Sequence, residues 1–436
     1  MRKSFNGGLN LHENDVLHLR GINNYKAIET IQPKRVYIPV QQHIGDASEV
    51  VVEIGATVTL GQTIATSGDG LGAHIHASVS GTIVAVKPID QGQGDKSLCV
   101  VIENDFQETV CKEKPYSMDR FTQEMIVDRV EAAGVVGLGG ATFPSHVKLS
   151  PRENIHTCIF NGAECEPLLM ADAALMATQG EKLSKGCQLV LKAVAAKEGI
   201  IVIEDDKQEA ISVMRKWCDC IPNLTVLEVP SIYPQGSTEL LFKAVTGLEE
   251  PTGGSTRDLG YLVINVSTTA AIYDAVMEGT PLSHRICSVV GDVQNQKNVR
   301  FPMGTTVSDM IEFCGGFDGP PSKVIIGGFM MGRTIDTLDA SLTKAANGLI
   351  IINETHDEDS TPSPCIDCAR CVNVCPIGLL PHQLEKNYLK QNWKRMKKLY
   401  ADRCINCGCC TYICPARRHL AKHIIAGQKI IEERQA

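Results

Sequence analysis

Short apolar runs closed by glycine or polar turns open the chain, and the texture then changes three times along its length. Over residues 1–112 the runs RVYIPV, EVVVEI, GTIVAV and LCVVIE predict strands between Gly-bearing turns, a small all-β module. From 118 to 285 the pattern alternates. TCIFNG and GIIVIED read as buried strands, while MIVDRVEAAG and EKLSKGCQLVLKAVAAKEG carry helical spacing and end at glycine. That alternation predicts an α/β layer. Over residues 286–355, SVVGDV, KVIIGGF and LIIIN predict strands around one helix, SDMIEFCGGF, a compact α+β module. NETHDEDSTPSP is acidic, then rich in Pro and Ser, and reads as a linker. Residues 356–436 read as helical and dense in cysteine.

Composition narrows this picture. A chain of 436 residues implies roughly two to four domains. Its 43% hydrophobic content supplies several cores, and a formal charge of −8 argues against nucleic acid as a partner. The first residues hold no apolar core of a signal peptide. No stretch approaches the roughly 18 apolar residues of a membrane span, so work at a membrane would be peripheral.

Half of the 18 cysteines lie between Cys365 and Cys414, a distribution that favours metal ligation in a reducing compartment over disulfides. The scattered ones (Cys99, Cys111, Cys158, Cys165, Cys187, Cys218, Cys220, Cys287 and Cys314) read mostly as small buried hydrophobes. One set runs Cys365, Cys368, Cys371, Cys375 and then Pro376; the other runs Cys404, Cys407, Cys410, Cys414 and then Pro415. Three thiolates at this spacing wrap three corners of a cubane, and the fourth, before Pro, reaches the other cluster. On that rule Cys365, Cys368, Cys371 and Cys414 hold one [4Fe–4S] cluster, and Cys404, Cys407, Cys410 and Cys375 hold the second. Structural zinc is the alternative, although it usually takes two pairs of ligands. Cys409 falls out of register and is expected not to be a ligand. PHQLEKNYLKQNWKRMKKLYADR, between the sets, has the length of a helix. From His382 onward 12 Lys/Arg stand against 4 Asp/Glu, either offsetting the cluster charge or forming a docking face for an acidic carrier.

A glycine-rich turn follows the helix MIVDRVEAAG: Gly137, Gly139 and Gly140, then Phe143 and Lys148. Close glycines let backbone N–H groups approach a phosphate, and a lysine supplies counter-charge. The spacing is neither that of the dinucleotide fingerprint nor that of the P-loop, and a Gly-rich turn alone is more often only a turn. His74 and His76 alternate on a strand without an evident third ligand, which favours a structural role over metal.

GLGGATFPSHVKL followed by TCIFNGAECEP resembles the flavin-bearing, NADH-oxidising subunit of respiratory complex I, and more closely the C-subunit family of the Rnf electron-transport complex. FNGGLNL, IPVQQHIG, HASVSGTIVAV, YPQG, VVGDVQN, IGGFMMG, LTKAANGLIII and CIDCARCVNVCPIGLLP extend the resemblance over nearly the whole chain. It implies a multidomain α/β protein: a barrel-sandwich hybrid over 1–112, a Rossmann-like FMN/NADH domain over 118–285, a β-grasp (SLBB) module over 286–355, and a helical two-[4Fe–4S] domain over 356–436. It further implies that Gly137, Gly139, Gly140 and Lys148 cradle the FMN phosphate, that Asn161 and Asn265 line the flavin pocket, that Phe143 stacks on the nucleotide, and that Glu164 and Glu166 lie near the nicotinamide as catalytic carboxylates. Lipoyl-type barrels carry a modified lysine, but none occurs between Arg35 and Lys87, so a structural or docking role is expected here. The Met330–Met331 pair reads as packing.

Three positions depart from the related pattern: Thr142 stands where the relatives have glycine, Ser237-Thr238-Glu239-Leu240 replaces Ala-Glu-Lys-Gln, and Ile264-Asn265-Val266-Ser267 replaces Asn-Asn-Val-Gly. The function implied is electron transfer between NADH, FMN and two clusters, with other electron-transport subunits and a ferredoxin-type carrier as partners, on the cytoplasmic face of the membrane. The alternatives are a paralogue delivering electrons to a partner reductase, such as an amino-acid or cobalamin reductase, with altered NADH binding, and a flavin-free electron wire.

Overall fold

The computed structural model describes residues 5–11, 19–68, 70–110, 118–150, 154–251, 253–356 and 361–434. Cys111 and part of the expected linker lie outside them. Among the described residues no helix is long and apolar enough to cross a membrane.

The first module packs two antiparallel sheets face to face. One is ordered Arg35–Pro39, Lys96–Asn104, Gly81–Asp90 and Thr57–Val58; the other is Glu49–Val50, Thr63–Thr66 and Ile75–His76. Their inner positions, among them Val36, Ile38, Ile64, Ile75, Ile83 and Ile102, form a closed apolar core. EVVVEI is a strand only at Glu49–Val50, because the next residues carry the chain from one sheet to the other and leave Val51 and Ile54 exposed.

Residues 157–265 build a four-stranded parallel sheet ordered Leu224–Val229, Glu198–Glu204, Thr157–Gly162, Tyr261–Asn265. Its strands are continuous apolar runs because helices cover them, among them Gly180–Ala193, which buries Leu183, Cys187 and Val190. The helix Gln123–Ala132 starts where the Thr122 side chain accepts from the Met125 N–H.

The third module is a six-stranded mixed sheet ordered Ile28–Thr30, Lys297–Pro302, His284–Gly291, Gly348–Asn353, Pro321–Ile326 and Arg333–Ile335, with helix Val307–Phe313. Its edge strand Ile28–Thr30 comes from the segment expected in the barrel; it pairs in parallel with Lys297–Pro302, Glu29 opposite Val299. Farther on, the expected single helix between the cysteine sets is two, Pro381–Leu389 and Trp393–Lys398. Gln391, at φ 53°, breaks it, and the Asn392 side chain caps the second piece by accepting from Arg395 N.

The first three modules meet on one side chain. Lys344 is 1% exposed. Its Nζ donates to the His74 carbonyl of the barrel at 3.0 Å and to the Gly134 carbonyl of the α/β domain at 2.7 Å. Its own N–H donates to Gln42 Oε1 at 3.0 Å, and its carbonyl accepts from Arg285 Nη1. Gly134 has φ 61°, and a Cβ there would lie 2.1 Å from the His74 oxygen, so only glycine lets the two backbones approach this closely. Burial depresses the Lys344 pKa from 10.5 to about 7. Between those values the unfolded chain binds the extra proton, so this group's contribution to stability rises with pH from about 7 toward 10.5 and is least favourable below 7.

Replacing Lys344 with Met strands two buried carbonyls and is expected to cost about 2–4 kcal/mol. Denaturant unfolding should show the wild-type advantage over the Met variant growing between pH 7 and pH 9; an unchanged gap would contradict this account.

Candidate functional site

In the parallel sheet the strand order reverses between Thr157–Gly162 and Tyr261–Asn265, the crevice where ligands settle in open α/β sheets. Asn161 and Asn265 are register partners at the carboxyl ends of these strands. Asn265 caps the next helix, its Oδ1 accepting from Ser267 N at 2.9 Å and Thr268 N at 3.2 Å, and its Nδ2 donates to Asp172 Oδ2 at 2.7 Å. Asp172 also accepts from the Ser267 hydroxyl. Asn161 Nδ2 donates to the Gly236 carbonyl at 2.9 Å, and its Oδ1 accepts from Ala163 N at 3.0 Å.

The glycine loop lies over this crevice. Gly137 N donates to Phe143 O at 2.8 Å and Thr142 N to Gly137 O at 3.1 Å, closing the turn. Leu138 N donates to the Thr268 hydroxyl at 2.8 Å, while Leu138 O accepts from Arg285 Nη2. A Cβ on Gly139 would stand 3.4 Å from the Asn265 Cβ, so the loop touches the switch point. Gly140 has φ 111°, and a Cβ there would meet nothing within 4 Å, so its backbone is open to a ligand. Thr142 holds φ 50°, a left-handed conformation that glycine adopts without strain and a β-branched residue does not. Its carbonyl accepts from Ile44 N of the barrel at 3.3 Å. Lys148 sits on the short helix Ser145–Leu149, with burial and then Arg257 drawing its pKa down to about 8. An open glycine backbone beside two asparagines, with a lysine on the following helix, fits an anionic nucleotide such as FMN.

The two glutamates are held by backbone donors. Glu164 accepts from Ala171 N at 3.0 Å, Asp172 N at 3.0 Å and Ala173 N at 3.1 Å, the first turn of helix Ala171–Thr178. Glu166 accepts from Met330 N at 2.8 Å and Met331 N at 3.0 Å in the β-grasp module. A Cβ at Gly328 would strike the Glu166 carboxylate, so the glycines there admit this contact, and the Met pair binds through its backbone. Burial raises each glutamate to a pKa of about 7, Asp172 adding to the shift at Glu164. His76 is buried, its pKa lowered to about 3 by desolvation, and His74 Nδ1 accepts from Ser67 N at 3.2 Å. Asp172, Arg285 and Lys344 are the site's unforeseen members; a charged residue inside an apolar or small-residue run was their only signal.

The cysteines gather across motifs as the spacing predicts. Cys365, Cys368, Cys371 and Cys414 line one pocket, together with His382 and Arg418. Cys375, Cys404, Cys407 and Cys410 line another, with Cys409 beside them. Among the described residues no group of three or more Cys, His, Asp or Glu closes on a point as a single ion requires. Thiols ringing a cavity suit a cubane better than zinc. In both loops the residues on either side of the second cysteine are left-handed: Asp367 and Ala369, then Asn406 and Gly408. Such turns aim successive N–H groups inward at anionic sulfur, and Leu379 N donates to Cys375 Sγ at 3.3 Å.

The second cavity adjoins the α/β domain. Tyr233 Oη donates to Cys407 O at 2.7 Å, and Tyr233, Val374, Cys407 and Cys409 pack with Cys165 and Met330. Gly236 N donates to Cys165 Sγ at 3.2 Å, so the loop Tyr233–Gly236 spans from Asn161 to this proximal cavity. The distal cavity has Cys365 and Cys368 exposed beside Ile366. Of the scattered cysteines, Cys99, Cys158, Cys187, Cys218, Cys287 and Cys314 are buried as expected; Cys220 is exposed, and Cys165 is part of this junction.

Residues 3–107 match the RnfC barrel sandwich hybrid domain, 130–274 the Nuo51 FMN-binding domain, 286–334 the SLBB domain and 364–417 the 4Fe-4S dicluster domain. The C subunit of the Na(+)-translocating ferredoxin:NAD(+) oxidoreductase complex of Acetobacterium woodii is 38% identical over 410 residues, 93% of each chain. Its counterpart in the proton-translocating ferredoxin:NAD(+) oxidoreductase complex of Clostridium ljungdahlii is 37% identical, covering 92% of this chain and 88% of that one. The C subunit of the ion-translocating oxidoreductase complex of Rhodobacter capsulatus is 37% identical, covering 82% and 70%. Among solved structures, an air-oxidised NAD+-reducing [NiFe]-hydrogenase chain shares the fold at a TM-score of 0.52 and 17% identity, over 72% of this chain and 62% of that one.

Cross-motif ligation has a direct consequence. Cys375→Ala with Cys404→Ala should remove one cluster, leaving about four irons per chain, whereas Cys375→Ala with Cys365→Ala should remove both. Iron and acid-labile sulfide assays read the difference, and the opposite pattern would follow if each motif held its own cluster. Separately, Thr142→Gly should stabilise the fold by about 1 kcal/mol in denaturant unfolding by relieving the left-handed strain.

Proposed function

The chain belongs to the family of C subunits of the Rnf ion-translocating oxidoreductase complexes, and on that premise we propose how its residues divide the work. It is an electron-transfer oxidoreductase subunit passing electrons between NADH, FMN and two [4Fe–4S] clusters, alongside the other subunits of its complex. FMN, when bound, joins two-electron exchange with nicotinamide to one-electron exchange with a cluster.

In this reading Gly137, Gly139 and Gly140 present backbone N–H groups to the FMN phosphate and Lys148 supplies the cation. Asn161 and Asn265 hold the flavin at the switch point, and Phe143 stacks on the nucleotide. Glu164 and Glu166 border the nicotinamide side, and their backbone-held carboxylates keep the wall formed by residues 163–167 in place. The proximal set Cys375, Cys404, Cys407 and Cys410 takes electrons nearest the flavin, and the distal set Cys365, Cys368, Cys371 and Cys414 faces the partner. The work divides over segments 1–112, 118–285, 286–355 and 356–436, with the chain peripheral on the cytoplasmic face of the membrane. The observation that carries this reading is the Asn161–Asn265 pair, with the glycine loop over it and Tyr233 reaching on to Cys407.

A second reading, delivery to a partner reductase without NADH, draws on Ser237, whose hydroxyl donates to Glu239 Oε2 at 2.7 Å and turns that carboxylate onto its own helix. Anaerobic protein loaded with iron, sulfide and FMN should bleach in the flavin and cluster bands on adding NADH. Bound flavin that ignores NADH would favour the second reading, and failure to retain flavin would overturn both.

A further inference from the structure

Six cations follow one another along residues 386–401 with no carboxylate among them: Lys386, Lys390, Lys394, Arg395, Lys397 and Lys398. All six are exposed, and among the described residues none takes an ion pair or a side-chain hydrogen bond. Lys386 and Lys390 stand one turn apart at the end of helix Pro381–Leu389, beside Leu389, which is 56% exposed. Lys394, Lys397 and Lys398 share the face of helix Trp393–Lys398 opposite Met396, which is fully buried. Tyr400, 67% exposed, follows them. The patch is not contact counter-charge for the clusters. His382 and Arg418 are the basic residues lining the distal pocket, the proximal pocket has none, and the six cations line neither.

Composition decides what the patch faces. Five of the six cations are lysines, which protein interfaces deplete, whereas arginine with its fixed fork is what they enrich. Flexible ammonium stems match a fluid anionic surface, and the exposed Leu389 and Tyr400 match its polar–apolar boundary. The whole chain carries −8, so attraction to an anionic surface has to come from a local patch. We propose that residues 386–400 dock the cluster domain on the anionic headgroups of a phospholipid bilayer, the lysines meeting phosphates and Leu389 and Tyr400 entering the headgroup layer. Because Cys375 and Cys404 flank this segment, its docking brings both cysteine sets to the bilayer surface. The proposal rests on the peripheral placement given above and supplies the contact for it.

The test is co-sedimentation of the cluster-loaded chain with vesicles of mixed phosphatidylglycerol and phosphatidylcholine, against phosphatidylcholine alone. Wild type should bind only the anionic vesicles and leave them in about 0.5 M salt, where surface charges are screened within a few ångströms. Lys394→Gln, Lys397→Gln and Lys398→Gln together should weaken binding on the order of a hundredfold, roughly fivefold per lysine, with iron content unchanged. Lys34→Gln, Lys87→Gln and Lys96→Gln together, at exposed positions of the barrel, should leave binding as it was. No binding to anionic vesicles, equal binding to both kinds, or equal losses in the two triple variants would overturn the inference. Binding to poly-L-glutamate beads without binding to vesicles would overturn it too, by assigning the patch to an acidic protein. A chain that ignores vesicles yet sediments with the membranes carrying its complex overturns the inference and leaves the peripheral placement standing; absence from those membranes overturns both.

Discussion

A buried lysine at a three-domain junction sets the geometry on which the rest of the structure depends. The Lys344 side chain is taken out of water, and its Nζ donates instead to the carbonyls of His74 and Gly134. Breaking such a contact is costly because the remaining groups are left buried without partners. Its carbonyl shares the Arg285 guanidinium with Leu138 of the glycine loop. A loop that belongs by sequence to the α/β domain is thus positioned from the β-grasp module and, through Thr142 and Ile44, from the barrel. The flanking modules thus decide where the backbone of the glycine loop stands.

The same logic governs Glu164 and Glu166. Separated by one residue, they reach different elements: one the N-terminus of helix Ala171–Thr178, where the helix dipole favours negative charge, the other the Met330–Met331 turn. Both carry pKa values near neutrality because burial opposes the charge that those N–H donors favour. Carboxylates committed in this way act on the pocket by fixing its walls. Asp172 joins them, linking that helix to Asn265 and Ser267.

Much of this was legible in the residues. TCIFNG is the strand Thr157–Gly162 to the residue, because an apolar run with a turn at each end has only one way to lie in a parallel sheet. The cross-motif grouping of cysteines was equally legible, since Cys-x2-Cys-x2-Cys-x3-Cys-Pro leaves the fourth thiol no reach to its own loop's cluster. What stayed hidden depends on distant partners. Ile28–Thr30 joins a strand 269 positions later, Glu29 to Val299 being 270 apart, and local pattern carries no trace of such pairing. Beyond being a charge in a run of small residues, Lys344 carried no mark of its keystone place, because its partners His74 and Gly134 contribute backbone carbonyls that any residue has. Cys409 falls outside the ligand register, and spacing does not report that it borders the same cavity as Cys404, Cys407 and Cys410.

The segment at residues 5–11 carries a consequence for how the protein is made. Leu9 pairs with Tyr233, Gly8 N donates to Val374 O, and Gly7 lies against the Cys375 carbonyl. This stretch leaves the ribosome long before its partners do, and Val374 and Cys375 follow it by more than 360 residues. These contacts tie the segment to the backbone that leads into Cys375, the fourth thiol of the first set.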